Sequence, residues 1–288
     1  MKYRSLTPIS SGWSGDQKYC AADEDGRKYF LRITPPEKAE RAKESFELQK
    51  KLHALEIPMC VPLECGATEE GFYTLQSWVE GDNAEDSVPA MAEDEQYSLG
   101  LESGVILRKI HVLPAPDGAP AWEIRFNEKI DRKIKGYEEC PIKLDGAEAF
   151  LRYLAQNRAL LHGRPQCFQH GDYHIGNMMI ERGKLVIIDF DRFDYGDPWE
   201  EFNRIVWSAQ AAPAFASGMV DGYFDGSVPM EFWRLLALYI SSNTLSSIPW
   251  AIPFGEAEVQ KFIAQAEEIL GWYDGMTKVV PNWYSERE

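Results

Sequence analysis

Two stretches of this sequence carry residues whose types and spacing suit chemistry. The first, "FQHGDYHIGNMMI" (168–180), sets His170, Asp172 and Asn177 at short intervals among apolar neighbours. The second, "LVIIDFDRFDYGDPW" (185–199), places Asp189, Asp191, Asp194 and Asp197 after an apolar run. Phosphoryl transfer asks little covalent chemistry of a protein. It needs a metal bridging the phosphates, oxygen ligands to hold that metal, and a carboxylate to take the acceptor hydroxyl's proton. Asp172 is a base candidate. Asn177 and Asp189 flank "MMIERGKLVII", whose closure as a hairpin would bring both to one ion, and magnesium takes a carboxylate or two with water and phosphate oxygens. Taken singly, His-Gly-Asp also suits a turn, and an aspartate after a strand also suits a helix cap. The two stretches together, at this distance, point to chemistry rather than to caps.

The elements around these stretches divide the chain. "ISSGWSGDQKYCAAD" and "RKYFLRI" alternate aromatic and polar residues, and "EDGR" between them reads as a hairpin turn. Pro35 and Pro36 stop the strand, and an apolar stripe predicts a helix over 37–54. "LECGAT" and "GFYTLQSWV" predict two more strands. Residues 81–96, "GDNAEDSVPAMAEDEQ", read as a linker or a domain start. Beyond them helical periodicity dominates, in "YSLGLESGVILRKIHVL", 146–162 and 230–247, with short strands only at 177–190. The expected organisation is a small sheet lobe over 1–80 and a helical lobe over 81–288. Clefts between such lobes are favoured ligand sites.

Composition narrows the partners. The 288 residues are 44% hydrophobic and 12% aromatic, enough for a sizeable core. Thirty Lys and Arg against 46 Asp and Glu give a net charge of −16, which repels phosphate backbones and argues against nucleic acid. The same charge suits a cationic ligand, although excess acid is also a solubility feature. No apolar run is long enough for a bilayer, and "MKYRSLTPISSGW" lacks the apolar core of a secretory signal. Five cysteines without a CxxC pair read as reduced thiols in a cytoplasmic protein.

On "HGDYHIGN" (170–177), "IDFD" (188–191) and "GDPWEEF" (196–202), the sequence resembles the aminoglycoside phosphotransferase and choline kinase family. That resemblance implies an α+β, bilobal protein-kinase-like fold with a small antiparallel-sheet lobe and a larger helical lobe. It implies Asp172 as catalytic base and Asn177 and Asp189 as Mg²⁺ ligands, with ATP or GTP as phosphoryl donor. It makes His170 a packing residue of the loop and Asp197 a brace for it. Where many relatives have Asp-Leu-Ala, this chain has Glu201-Phe202-Asn203. "SSGWSGD" lies at the first strand turn, where a phosphate cover belongs, which implicates Ser11, Gly12 and Ser14. Arg32 stands where many relatives have lysine, with Lys28 as a fallback on the same strand face. Its helix partner is expected at Glu44, with Glu47 as the alternative. "TLQSWVEG" resembles the segment linking the lobes, so Ser77 and Val79 would meet the purine through their backbones.

The acceptor pocket is expected in the helical lobe. Trp233, Tyr239 and Trp250 offer an aromatic wall, Glu200, Glu201 and Asp225 offer ammonium partners, and Asp191 is a further pocket acid that would equally support the metal shell, although a buried helix and surface acids would look similar. By resemblance, the leading function is a small-molecule kinase phosphorylating a hydroxyl of an aminoglycoside-type antibiotic, as a monomer or homodimer. Choline-like amines, homoserine, sugars, macrolides, a protein substrate, or nucleotide binding without turnover remain as alternatives.

Overall fold

The computed structural model of this protein describes residues 3–10 and 15–285. By backbone contacts the chain divides into two units: one runs to Ser87 and also takes His170–Asp172 and Gly176–Phe193, and the other takes the remainder. The hairpin stretch after residue 170, expected within the helical lobe, is thus grouped with the sheet.

The first unit opens with β1 (Ser5–Pro8), β2 (Gln17–Ala22) and β3 (Lys28–Thr34). The β2–β3 turn is built on Asp23, whose Oδ1 accepts the N–H groups of Asp25 (3.1 Å) and Arg27 (2.9 Å), a side-chain turn typical of aspartate. A 3₁₀ turn started by Pro36 leads into α1 (Ala39–Ala54), then β4 (Pro62–Thr68) and β5 (Gly71–Ser77). The strands form one antiparallel sheet in the order β1-β2-β3-β5-β4. Because side chains alternate along a strand, Tyr29 and Leu31 pack with Ala21 and Leu75 on one face. Phe30, Arg32 and Thr34 go to the other. On α1, Ser45, Leu48, Gln49 and Leu52 form the buried stripe at helical spacing. Short β6 (Asp82–Asn83) and α2 (Ala84–Ser87) close this stretch.

The second unit begins with α3 (Glu93–Ile110), α4 (Trp122–Glu139) and α5 (Ala147–Asn157), followed by β7 (Cys167–Gln169). In the first unit, β8 (Met178–Glu181) and β9 (Lys184–Ile187) form the predicted hairpin, with β6 paired on the outer side of β8. In the second, β10 (Asp194–Gly196) pairs with β7. These two strands have three residues each, too few for alternation to reveal, and the sequence reading missed them. The chain ends in α6 (Ile205–Ala211), α7 (Pro213–Phe224), α8 (Met230–Ala251) and α9 (Glu256–Trp272). Among the described residues no helix is long and apolar enough to cross a membrane.

α3 and α7 meet backbone to backbone. Gly100 and Gly104 on α3, and Gly218 and Gly222 on α7, are one turn apart on their helices. A Cβ at Gly104 would lie 2.2 Å from the Met219 carbonyl, and one at Gly218 would lie 2.2 Å from that of Tyr97. Gly136 on α4 has open space around it. Gly104→Ala is therefore expected to cost about 1–3 kcal/mol through overpacking. Gly136→Ala should stabilise by about 0.5–1 kcal/mol through helix propensity, and urea denaturation of both variants compares the two directly.

Candidate active site

After β7 the chain turns at Gly171, where two constraints coincide. Its φ is +85°, and a Cβ there would sit 2.0 Å from the Arg192 carbonyl oxygen, so only glycine fits. Beside it, His170 is fully buried. Its Nε2 is 2.9 Å from the Ile188 carbonyl, and Asp172 donates its N–H to Nδ1 at 3.3 Å. Those partners assign a neutral ring with the proton on Nε2. One imidazole thereby ties the Asp172 loop to the residue before Asp189. A second tie runs through Asn177, whose Nδ2 donates to the Asp172 carbonyl (2.8 Å) and whose own carbonyl accepts Ile188 N–H (3.0 Å). With Nδ2 so engaged, Oδ1 is the atom of Asn177 suited to a cation. Asp189 adopts a left-handed backbone, φ +63°, a conformation aspartate tolerates better than most residues. The Asp172 carboxylate is mostly covered and lies 3.7 Å from the Arg192 guanidinium.

A cavity of about 400 Å³ opens beside this loop, lined entirely by residues of the first unit. Phe30, Met59, Met179 and Ile187 supply apolar wall, while Lys18, Arg32, Asn177, Asp189 and Asp191 supply charge and oxygen donors. Ser77 and Val79 also line it. An apolar slot continuous with cations and oxygen donors suits a planar ring bearing an anionic tail. The positions of Ser11, Gly12 and Ser14 lie outside the described residues.

Arg32 is nearly buried and surrounded by carboxylates. Its Nε donates to Asp16 Oδ2 at 2.5 Å, its guanidinium also bonds Asp191, and Asp189 Oδ1 lies 3.7 Å away. Neither expected helix acid takes part. Glu44 lies 3.8 Å from Arg41 and Glu47 3.1 Å from Lys50, all of them exposed. The helical period explains the difference: α1 presents Ala42, Ser45 and Gln49 to the cavity, and the acids fall on its flanks. Lys28, the fallback, pairs with Glu80 at 2.8 Å on the surface. The sequence reading also missed Lys18, which stands opposite Arg32 in the β2–β3 register. Burial, and then Arg32, lower its ammonium's pKa, with Asp189 and Asp16 pulling the other way. Only that register, setting Asp16 and Lys18 two apart beside Arg32, marks them.

The sequence matches the model of the phosphotransferase enzyme family over residues 5–234. The chain belongs to that family. Solved structures with the same fold include aminoglycoside phosphotransferase APH(4)-Ia, in a complex with AMP-PNP and hygromycin B (TM-score 0.68, 14% identity, 94% of both chains). A choline/ethanolamine kinase family protein from Mesorhizobium loti gives 0.67 at 17% identity, over 96% of this chain and 92% of that one. ADP-bound aminoglycoside phosphotransferase APH(2'')-Ib gives 0.63 at 16%, over 92% and 94%. At these identities the likeness establishes the fold, which is protein-kinase-like. A search of curated proteins gave no match.

In the second unit, this phosphotransferase centres its polar core on Asp197. Its fully buried carboxylate accepts Arg164 Nε (2.7 Å) and Nη2 (3.0 Å), Tyr239 Oη (2.6 Å) and Trp199 N–H (3.0 Å). Its carbonyl accepts Gln169 Nε2 at 2.9 Å, directly before the His-Gly-Asp turn. Tyr239 is thus a core residue, 1% exposed, and burial followed by Asp197 raises its phenol's pKa. Trp233, 3% exposed, packs among Phe232, Trp283 and Tyr284. Both were expected in an acceptor wall, and the burial of α8 nearly all round takes them from it. Of the three, only Trp250 reaches solvent, at 39% exposure. Glu200 and Glu201 are buried, Glu200 on Lys129 at 3.0 Å and Glu201 3.9 Å from His111 Nε2, while Asp191 belongs to the Arg32 cluster. Tyr239→Phe should cost about 1–3 kcal/mol, because it removes a donor to the buried Asp197 carboxylate and the acceptor of Trp122 Nε1–H at 3.0 Å, read as a lower denaturation midpoint with nucleotide affinity unchanged.

Proposed function

We propose that this protein is a small-molecule kinase that moves the γ-phosphoryl group of a nucleoside triphosphate to a hydroxyl. The observation that carries the reading is the double tie through His170 and Asn177, which holds Asp172, Asn177 and Asp189 together beside a cavity containing Arg32 and Lys18. The base would lie against the apolar wall near Ser77 and Val79. The phosphates would lie against Arg32 and Lys18, where a planar guanidinium can engage two oxygens at once.

Among the described residues no group of three or more His, Cys, Asp and Glu side chains forms a metal cage. Asn177 Oδ1 and the Asp189 carboxylate are two oxygen donors, a set that fits Mg²⁺ completed by phosphate oxygens and water. When bound, that ion supplies charge neutralisation on the phosphates. Asp172 takes the proton from the acceptor hydroxyl as its oxygen bonds to the γ-phosphorus. The bond from that phosphorus to the β-phosphate oxygen breaks, which leaves a phosphate monoester and a nucleoside diphosphate. Arg32 and Lys18 balance the charge that gathers on the leaving oxygens. The five free thiols support a cytoplasmic setting.

For the acceptor, the net charge of −16 and the aminoglycoside ligands of several fold relatives leave a cationic, hydroxylated compound of that type as the alternative. A specific cation cluster in the second unit favours a different class, argued below.

Asp172→Asn should lower kcat by about 10²–10⁴-fold, the usual size of a general-base contribution, with nucleotide affinity retained. Equal turnover in variant and parent would remove Asp172 from the mechanism. Asp16→Asn, which loosens Arg32, should raise the nucleotide KM about tenfold, equivalent to about 1.4 kcal/mol. Glu44→Gln should leave it unchanged, and initial-rate measurements with Mg²⁺·ATP compare both.

A further inference from the structure

Lys129 and Lys133 lie one turn apart on α4 and share a face, yet among the described residues they have one carboxylate between them. Glu200 Oε1 is 3.0 Å from Lys129 Nζ, and its Oε2 accepts Gln169 Nε2 at 3.1 Å. Burial pushes the Glu200 pKa up, but Lys129, Lys133 and Arg204 outweigh it and hold the acid ionised below its ordinary range. Among the described residues Lys133 has a single hydrogen bond, a long one of 3.5 Å to Asn243 Oδ1 on α8. Burial, and then Lys129, push its ammonium down to about 7. Covered charges are normally matched, and among the described residues Lys133 has no acid of its own in a chain that is strongly acidic as a whole.

Part of the spot reaches the surface. Lys133 and Asn243 are half-buried, and Asn243, Ser246 and Trp250 on α8 form a stripe that reaches the surface. Within the second unit it is linked to the two segments that flank Asp172 in sequence. Gln169, on Glu200, lies three residues before that aspartate. Arg204 lies one turn before Ser208, whose hydroxyl accepts the N–H of Ile175 at 3.1 Å.

We infer that the acceptor carries an anionic group, a carboxylate or a phosphate ester, which Lys133 and Lys129 receive at the edge between α4 and α8. The inference rests on the kinase reading for its link to turnover. An anion there completes the pairing that Glu200 leaves unfinished, whereas a polycationic acceptor meets like charge.

The test uses the full chain with its cavity filled by Mg²⁺·AMP-PNP. Inorganic phosphate and acetate are titrated separately by calorimetry at constant ionic strength, against the parent and Lys133→Met. Binding of either anion at one site, lost in Lys133→Met, is the expected result, and which anion binds tells phosphate from carboxylate. No binding, or equal binding by the variant, overturns the inference. A kinetic arm compares ATP-dependent turnover of hydroxy acids, sugar phosphates, neutral polyols and aminoglycosides. Turnover of an anionic class is expected, with at least a tenfold higher acceptor KM in Lys133→Met and an ATP KM within twofold. Turnover of aminoglycosides or polyols with acceptor KM unchanged in the variant overturns it. Failure to bind AMP-PNP, with no turnover of any class, sinks the kinase reading instead, and the anion titration, run without nucleotide, still decides the site.

Discussion

The hydrogen bond from the buried His170 ring to the Ile188 carbonyl is the constraint on which the site depends. It joins a loop and a strand end that are distant in the sequence hairpin but must act together. A buried neutral imidazole has one donor and one acceptor to satisfy, and both are used here, toward Ile188 and toward Asp172 N–H. Gly171 lets the loop come close enough to Arg192 for that geometry, and Asn177 adds a second crosslink from its side chain and backbone. The relative position of Asp172 and Asp189 therefore follows from backbone-anchored bonds. It does not depend on the carboxylates themselves.

Charge is arranged against the overall average. Arg32 sits among Asp16, Asp189 and Asp191. Such a guanidinium needs no acid from α1, and the α1 face toward the cavity carries Ser45 and Gln49 instead. The position of the cation is then set by the β2–β3 register, because Lys18 lies on the neighbouring strand and Asp16 directly precedes it. In the second unit the imbalance is reversed, with Lys129 and Lys133 around the single carboxylate of Glu200.

The helical unit supplies rigidity by two different means. The glycine faces of α3 and α7 allow contact at backbone distance, so those helices have little freedom to slide. Asp197 gathers Arg164, Tyr239 and Trp199 N–H around one buried carboxylate, and its own carbonyl holds Gln169. A buried charge is tolerated when its lone pairs are this fully used.

By itself, the sequence determined the fold class, the hairpin and the family. The reason is that alternation, helical stripes and "HGDYHIGN" with "IDFD" are local patterns, readable wherever the chain runs. It could not show which acid serves Arg32, because Glu44, Glu47 and Asp16 are all plausible by type and only register and helix rotation separate them. Nor could it sort the tryptophans and tyrosines of α8, since Trp233, Tyr239 and Trp250 share one apolar helix and differ only in what packs against them. Three-residue strands such as β7 and β10 leave no periodic trace. Tertiary structure alone decided these points, since charge pairing and burial are properties of neighbours brought from elsewhere in the chain.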